Sequence, residues 1–274
     1  MTKILVTVKR IPDPDESLKF TATGGLDLSS VKWVPNAFDE YAVETALRLA
    51  EDAIKKTKLA EIVVLSICPE KQRQHVTQFL AMGADRAVIV DTDDAVLDTG
   101  DIGKLIAKVA QKEGVDLVIT GKLSQDNEGN QVGQRVAALL GWPQACFAAE
   151  IDWDQGANQL VVSREVDDGA ERKRVPLPAV VSVDLRVVLP TSVRNGVTPA
   201  EHKFTDGPRL ASLKGITMAK RKKVDVLTPA ELGVAASKAE ATVKIDKPPA
   251  RKAGQMVASV EALVEKLATE AKVL

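Results

Sequence analysis

Short apolar runs alternate with amphipathic helical patterns along the first half of the chain, and this rhythm restricts the fold more than any other feature. The apolar runs lie at residues 4–8, 61–67, 86–91 and 116–120. The helical patterns that follow them lie near residues 38–53, 70–82, 101–112 and 131–140. Strands with few polar positions are buried on both faces, as in a parallel sheet covered by crossover helices. The sequence therefore predicts an α/β fold with a parallel sheet.

The rhythm changes after residue 143. Strand-like runs follow, divided by turn residues at 153–156 and 167–169, and they lie at residues 145–151, 160–166, 172–175 and 179–188. Short strands separated by such turns are typical of antiparallel hairpins. We expect these hairpins to elaborate the same domain and to lie against the parallel sheet.

The last third of the chain is mostly irregular in pattern. Residues 189–206 are polar and punctuated by proline and glycine, which predicts a long exposed loop. Residues 224–249 are also irregular and precede an amphipathic helical pattern at 258–271. Packing on its own domain explains such a tail poorly, so we interpret it as an arm that wraps a partner.

A long polar loop at residues 121–134 connects the fourth strand to the next helix and is the best candidate for a binding site. The carboxyl ends of parallel strands are where open α/β sheets bind ligands. Gly121, Gly129 and Gly133 allow close backbone approach, and amides that open a helix can receive a phosphate. The loop is therefore a candidate nucleotide site, although an ordinary crossover loop would have the same composition.

Other strand ends could join this site if the strand order permits it. The first strand ends at residues 7–10 and the second at residues 66–68. Asn36 precedes a predicted helix, so its side chain either caps that helix or contacts a purine edge or ribose.

Composition excludes several other classes of protein. The chain has 274 residues, 45% of them hydrophobic, and a net charge of -1, which provides a core but argues against general nucleic-acid binding. Cys68 and Cys146 are too far apart for a CxxC pair, and His75 and His202 are the only histidines. The acidic residues at 13–16 and 91–94 lack the spacing of a calcium loop. No catalytic or metal site is predicted.

Two further segments are open to more than one interpretation. The basic run at residues 220–223 is a solvated helix end or a docking patch for an acidic protein. In residues 208–213, Leu210 and Leu213 stand beside charged positions, either as helix core or as an exposed anchor. The strand-like start of the chain and the lack of a run of ~18 apolar residues predict a soluble, intracellular protein.

Nine blocks of sequence follow one another in an order that matches a known family. They are LVTVKR (5–10), NAFDEYAVETALRL (36–49), FLAMGADRA (79–87), GKLSQDNEGNQVGQ (121–134), GWPQACFA (141–148), REVDDG (164–169), LPAVVSVDLR (177–186), PRLASLKGITMAKRKK (208–223) and RKAGQMV (251–257). Together they resemble the beta (small) subunit of electron transfer flavoproteins over almost the whole chain.

The resemblance implies an adenine nucleotide alpha hydrolase-like fold and two cofactors. AMP would be bound structurally in this subunit, while FAD would be held mainly by a larger alpha subunit in a heterodimer. The AMP contacts carried over by motif are Thr7, Asn36, Ala37, Phe38, Asp39, Ile67, Gly121, Lys122, Leu123, Ser124, Gln125, Asp126, Asn127, Glu128, Gly129, Asn130, Gln131 and Val132. Partner recognition would fall to Arg209, Leu210 and Leu213.

The resemblance also implies a function and a division of labour along the chain. Such a subunit belongs to an electron carrier and not to an enzyme. The carrier accepts electrons from flavin dehydrogenases such as the acyl-CoA dehydrogenases of fatty acid oxidation. It passes them to a membrane-bound electron transfer flavoprotein-quinone oxidoreductase. Residues 1–188 would form the AMP-binding domain, 189–223 an exposed loop and recognition segment, and 224–274 an arm and helix docking on the alpha subunit. The location would be the cytoplasm of a prokaryote or the mitochondrial matrix of a eukaryote.

Two alternatives remain at this point. A bifurcating, NADH-oxidising relative would hold a second FAD in the AMP site, and a universal-stress-type nucleotide-binding regulator would share only the parallel-sheet core. Bifurcating relatives resemble one another in a DGDTAQVGP-like loop, in which a small residue stands where this chain has Asn130. That difference favours AMP, whereas the Pro12-Asp13-Pro14 turn favours the bifurcating alternative. Many relatives have an aromatic residue where this chain has Pro14, so no flavin contact is expected from that position.

Overall fold

The computed structural model describes residues 1–21, 24–240, 242–246, 249 and 253–274. The chain divides into two units, which are described separately. Residues 1–19 and 27–241 form the first unit, and residues 20–26 and 242–274 form the second.

Parallel strands and helices alternate in the first half of the chain, and antiparallel strands follow. The strands are β1 (Thr2–Thr7), β2 (Arg10–Pro12), β3 (Lys19–Phe20), β4 (Leu26–Asp27), β5 (Trp33–Pro35), β6 (Ala60–Ile67), β7 (Arg86–Val90), β8 (Leu117–Gly121), β9 (Gln144–Asp154), β10 (Gln159–Val166), β11 (Gly169–Pro176), β12 (Ala179–Val183), β13 (Val193–Arg194) and β14 (Val224–Leu227). The helices are α1 (Ala37–Ala50), α2 (Gln74–Met82), α3 (Thr99–Glu113), α4 (Val132–Leu140), α5 (Leu213–Ala219) and α6 (Val260–Lys266).

One large sheet organises the first unit. Its strand order is β11-β10-β9-β12-β8-β1-β6-β7-β14, and β13 also pairs with β9. All neighbours from β9 through β12 to β14 are parallel, whereas β9, β10 and β11 are antiparallel. The predicted α/β fold with a parallel sheet is confirmed. The antiparallel strands β9, β10 and β11 extend this sheet at one side, so the expectation that the hairpins lie against it is wrong.

Alternation of side chains along the strands explains why both faces of the sheet are covered. Ile4 and Val6 of β1 belong to the buried cluster that contains α1 and α2. Leu5, between them in sequence, belongs to the cluster that contains α3 and α4 on the other face. Because successive residues of a strand point to opposite faces, a strand covered by helices on both sides must be apolar throughout.

Three predictions about the second half of the chain are wrong in detail. The predicted strand at residues 179–188 ends at Val183, and residues 185–188 form a 3₁₀ turn. This strand, β12, is a parallel member of the sheet between β8 and β9 and not part of an antiparallel hairpin. Residues 189–206 are not exposed throughout, because Ser192, Val193 and Asn195 are buried and β13 pairs with β9.

The predicted arm also begins later than residue 224. Residues 224–227 form β14, which pairs in parallel with β7. Further along, the carboxylates of Asp98 and Asp101 in and before α3 hold the backbone of residues 237–239. The chain therefore stays with the first unit to about residue 241.

The second unit contains the predicted closing helix. Ser259 caps α6, and a π-helical turn at residues 267–271 continues it. Of the ninth sequence block, Arg251 and Lys252 lie outside the described residues, as do Lys247 and Pro248 of the predicted arm. Within the part of the chain that the structure describes, every helix is too short or too polar to cross a membrane.

Candidate functional site

A cleft opens at the carboxyl end of the parallel strands, where the strand order reverses. From β1 the chain continues to β6 and β7 on one side, and it then crosses to β8 on the other side of β1. Loops that leave β1 and β8 therefore diverge, and this is the place where doubly wound sheets bind ligands. The cleft encloses about 930 Å³ of empty space, part of which is continuous with solvent.

Most of the predicted AMP contacts lie on this cleft. Those that line it are Thr7, Asn36, Asp39, Ile67, Gly121, Lys122, Leu123, Ser124, Asn127, Gly129, Asn130, Gln131 and Val132. Those absent from its lining are Ala37, Phe38, Gln125, Asp126 and Glu128. The cleft also has lining residues that the sequence did not single out, namely Leu65, Asp94, Thr99, Ile102, Ile106 and Thr120.

The side-chain amide of Asn36 holds the loop at residues 121–131 in place. Its Nδ2 donates to the carbonyl of Leu123 at 3.0 Å, and its Oδ1 accepts from the amide of Gln125 at 3.2 Å. No side-chain cap bond joins Asn36 to α1, so the capping interpretation is wrong. Asn36 instead connects the start of α1 to the backbone of the cleft loop.

Both lysines beside the cleft are already paired with carboxylates. Lys9 Nζ lies 2.7 Å from Asp126 Oδ2, and Lys122 Nζ lies 2.5 Å from Asp184 Oδ2. The first of these pairs ties the end of β1 to the cleft loop, and the second ties that loop to the end of β12. Backbone amides, more than free lysine charges, are thus the donors left for an anion.

Such amides occur where the cleft loop enters α4. Gln131 precedes the helix without a side-chain cap, and its own amide oxygen accepts from the guanidinium of Arg135 instead. The first amides of a helix lack intrahelical partners and, with the helix dipole, favour a bound anion. Val132 and Gly133 of this first turn line the cleft, so it can receive a phosphate.

Close packing under the cleft excludes a side chain at Gly121 and leaves little room for one at Gly133. A Cβ at Gly121 would lie 2.6 Å from Asp39 Oδ1 and 2.8 Å from Phe38 Cβ. A Cβ at Gly133 would lie 3.1 Å from Thr120 Oγ1. Larger residues at these positions would push the loop or α1 out of place.

Asp39 is a buried acid at the first turn of α1. Its Oδ2 accepts from the backbone amide of Lys9 at 2.8 Å. Burial raises the pKa of Asp39 to about 7, and hydrogen bonds from the Lys9 amide and the Asn36 side chain oppose the rise only in part. Its position between β1 and Gly121 makes it a packing element of the site.

An apolar wall completes the cleft. Leu65 and Ile67 come from β6, Ile102 and Ile106 from α3, and Val132 from α4. A mainly apolar wall with a few polar groups suits a flat heterocycle. The two α3 residues are one helical turn apart, and the sequence analysis did not separate them from the rest of the helical pattern at residues 101–112.

Neither the two histidines nor the basic run at residues 220–223 lines the cleft. His75 is buried, with its Nε2 2.7 Å from Ser66 Oγ, and burial, together with the charge of Arg10, lowers the pKa of His75 to about 4. Among the described residues, no three His, Cys, Asp or Glu side chains are placed to hold a metal ion. In the basic run, Lys222 Nζ donates to the carbonyls of Leu80 and Ala84 at the end of α2, so this lysine is not a simply solvated residue of a helix end.

The three predicted recognition residues lie outside the cleft and differ from one another. Leu210 and Leu213 are 94% and 86% exposed, so the core interpretation is wrong for both. Arg209, by contrast, turns inward, and its Nε lies 2.7 Å from Glu44 Oε2. Nothing in the sequence indicated that Arg209 has a buried partner.

Comparison with known proteins gives a consistent result along the whole chain. The family profile described as "Electron transfer flavoprotein domain" matches residues 23–232. The chain is 38% identical over 273 residues to "Electron transfer flavoprotein subunit beta" of Bradyrhizobium diazoefficiens, covering 99% of this chain and 100% of that protein. It is equally similar to the mitochondrial beta subunit of Arabidopsis thaliana, with the same coverage. The human beta subunit is 36% identical over 269 residues, which cover 97% of this chain and 96% of the human protein.

Proposed function

This chain belongs to the electron transfer flavoprotein family, related over nearly its whole length to the beta subunits, and we propose from this premise that it is the small subunit of a heterodimeric electron carrier. Its partner would be an alpha subunit that holds most of the FAD. When bound, the flavin supplies the redox chemistry. This chain would supply a bound nucleotide, support for the flavin-bearing partner and a docking segment for electron donors.

The cleft at the strand ends is the observation on which the nucleotide assignment depends. It combines uncapped α4 amides, two closely packed glycines, and an apolar wall. These features fit the phosphate and base of a nucleoside monophosphate. Among the described residues, no histidine or cysteine lines the cleft, and the lysines beside it are paired. We therefore assign AMP, held without being chemically altered.

The exposed leucines support a transient docking role. Leu210 and Leu213 are exposed, and the exposed Lys214 follows Leu213 directly in the chain, so a positive charge stands next to this apolar anchor. An anchor of this kind supplies affinity, and surrounding charge speeds encounter. The donors would be flavin dehydrogenases such as acyl-CoA dehydrogenases, and the acceptor would be a membrane quinone oxidoreductase.

The second unit supports an interface with the alpha subunit. Val260, Leu263 and Val264 of α6 are exposed apolar residues, and Met256 before the helix is fully exposed. Apolar residues repeated along one short helix are typical of a face that a partner covers. Residues 242–274 would then dock on the alpha subunit.

Nucleotide content tests the proposal. The chain is produced together with the alpha subunit from the same genome, the complex is purified and denatured, and the released nucleotides are identified and quantified. We expect one FAD and one AMP for each heterodimer. Two FAD without AMP would favour the bifurcating alternative and contradict the proposal.

A glycine variant supplies the matched control. Gly133→Leu would fill the α4 end of the cleft, and we expect it to lose AMP but keep FAD. The control is Gly156→Ala. Gly156 lies in the β9–β10 turn, where a Cβ makes only an ordinary contact at 3.5 Å with Asp154, so this variant should keep both AMP and FAD.

A further inference from the structure

Glu44 is a buried carboxylate at the centre of α1 with arginines on both sides. Its side chain is 4% exposed, and it accepts from Arg48 Nε at 2.9 Å through Oε1. The same carboxylate accepts from Arg209 Nε at 2.7 Å and from Arg209 Nη2 at 3.2 Å. A third bond from Arg209 to this carboxylate comes from its backbone amide, at 3.2 Å. Glu44 thus holds both the side chain and the main chain at residue 209.

Arg48 extends the network to the segment just before residue 209. Its side chain is fully buried and donates to the carbonyls of Leu189, Thr205 and Gly207 at 2.8, 2.8 and 3.1 Å. The guanidinium also lies over the ring of Phe204, 4.8 Å from its centre. Because a buried arginine requires partners for its donors, these carbonyls are held in a defined arrangement.

A second anchor lies on the far side of the exposed leucines. Ser212 caps α5 by accepting from the amide of Gly215, and a Cβ at Gly215 would lie 2.4 Å from the carbonyl oxygen of Ala81. The start of α5 is therefore packed against α2. Leu210 and Leu213 lie between the two anchors and project into solvent.

We propose that Glu44 is a positioning residue that fixes residue 209 and so preorganises Leu210 and Leu213 for docking. This inference rests on the docking role in the proposed function. A segment held at both ends loses less conformational freedom when it binds, so affinity rises without additional contacts. Glu44 itself, being buried, does not touch the partner.

Substitutions at Arg209 test the inference without leaving the buried Glu44 carboxylate unpaired, because Arg48 still bonds to it. Arg209 is 37% exposed, and Arg209→Ala leaves the Glu44–Arg48 pair intact, so the variant should fold. Arg209→Lys keeps the positive charge but loses the two-pronged bond to Glu44. Arg221→Ala is the control, because it removes an exposed arginine just after α5 that is not among the residues bonded to Glu44 in the described part of the chain.

Two measurements separate positioning from direct contact. Hydrogen exchange of the amides at residues 209–216 reports on the segment itself. Steady-state reduction of the purified heterodimer by an acyl-CoA dehydrogenase from the same organism gives KM and kcat separately. We expect Arg209→Ala and Arg209→Lys to accelerate exchange and to raise KM about tenfold, with little change in kcat. Arg221→Ala should accelerate no exchange in this segment.

The outcomes distinguish this inference from the proposed function. Unchanged exchange in the Arg209 variants would overturn the inference, as would faster exchange with an unchanged KM. A normal KM in Arg209→Lys beside a raised KM in Arg209→Ala would show that residue 209 acts by its charge, and would also overturn it. Leu213→Ala is the reference variant: an unchanged KM there would overturn the docking role in the proposed function, and the inference with it.

Discussion

Asp39 shows how a single buried group can serve the structure of a site and still weaken the protein at neutral pH. The carboxylate accepts from the backbone amide at Lys9 and packs against Gly121, so it joins β1, β8 and α1. Burial raises the pKa of Asp39 to about 7, whereas an aspartate in an unfolded chain titrates near 3.9. The folded chain consequently keeps this proton over a pH range in which the unfolded chain releases it.

The sign of the resulting pH dependence follows from linkage. Between about pH 4 and pH 7 the folded state binds more protons at Asp39, so the free energy of unfolding falls as pH rises, by up to ~1.4 kcal/mol per pH unit. Above pH 7 this contribution stays constant. The amide introduced by Asp39→Asn cannot titrate. We therefore expect the unfolding free energy of the wild type, measured relative to that of Asp39→Asn by urea unfolding, to fall through this window. A difference that stays constant would contradict the prediction.

Asn36 marks a limit of sequence reasoning at the residue scale. A residue of this type before a helix suggested a cap or a ligand contact, because both are local roles. Its amide instead bonds to Leu123 and Gln125, almost ninety positions away. Only the parallel pairing that places β1 beside β8 brings these residues together.

At the scale of elements, the start of α3 clamps the end of the first unit. Asp101 accepts from the amides of Ser237 and Lys238 at 2.9 and 3.1 Å and from Ser237 Oγ at 2.8 Å. Burial opposes ionisation, but these hydrogen bonds hold the pKa of Asp101 well below its usual range. Because Thr99 and Ile102 of the same helix line the cleft, the clamp and the cleft share one element.

Graded substitutions test this clamp. Asp101→Asn replaces one accepting oxygen with an NH₂ group and removes the negative charge that strengthens the remaining bonds, so we expect the amides at residues 237–239 to exchange about tenfold faster or more. Ser237→Ala removes only the hydroxyl bond and leaves both amide bonds, so its effect should be smaller. Hydrogen exchange followed by mass spectrometry provides the measurement. Equal protection in wild type and Asp101→Asn would contradict the clamp.

Elements with a strong periodic pattern were predictable, and those defined by distant pairing were not. The four apolar runs gave β1, β6, β7 and β8 within one or two residues because strands covered on both faces must be apolar. In contrast, β13 has two residues and β14 has four, too short for any period to emerge. They become strands because β13 pairs with residues 151–152 of β9, beyond the stretch that pairs with β12, and because β14 pairs with the free edge of β7.

For the whole molecule, the fold class was predictable and the order of strands was not. An alternating pattern predicts a parallel sheet, and the ligand cleft lies where the connections change direction. The pattern alone leaves open which strands flank that point, since β1 could have been an edge strand. The structure places β1 between β6 and β8, and this is why loops from β1 and β8 can meet around one ligand.

The division of the chain into two units leads to a prediction about truncation. All residues of the two buried clusters lie before residue 235, and the clamp on residues 237–239 is complete before residue 242. A chain that ends after residue 241 should therefore fold, unfold cooperatively and have a melting temperature within a few degrees of that of the full chain, because it loses little buried apolar area.

If residues 242–274 dock on the alpha subunit, the same truncation should abolish copurification of the two subunits. The control is a chain that lacks only residues 272–274, past the final helical turn, which should still copurify with the alpha subunit. Cooperative unfolding combined with undiminished copurification would contradict the docking role, whereas loss of cooperative unfolding would show that the first unit depends on the second.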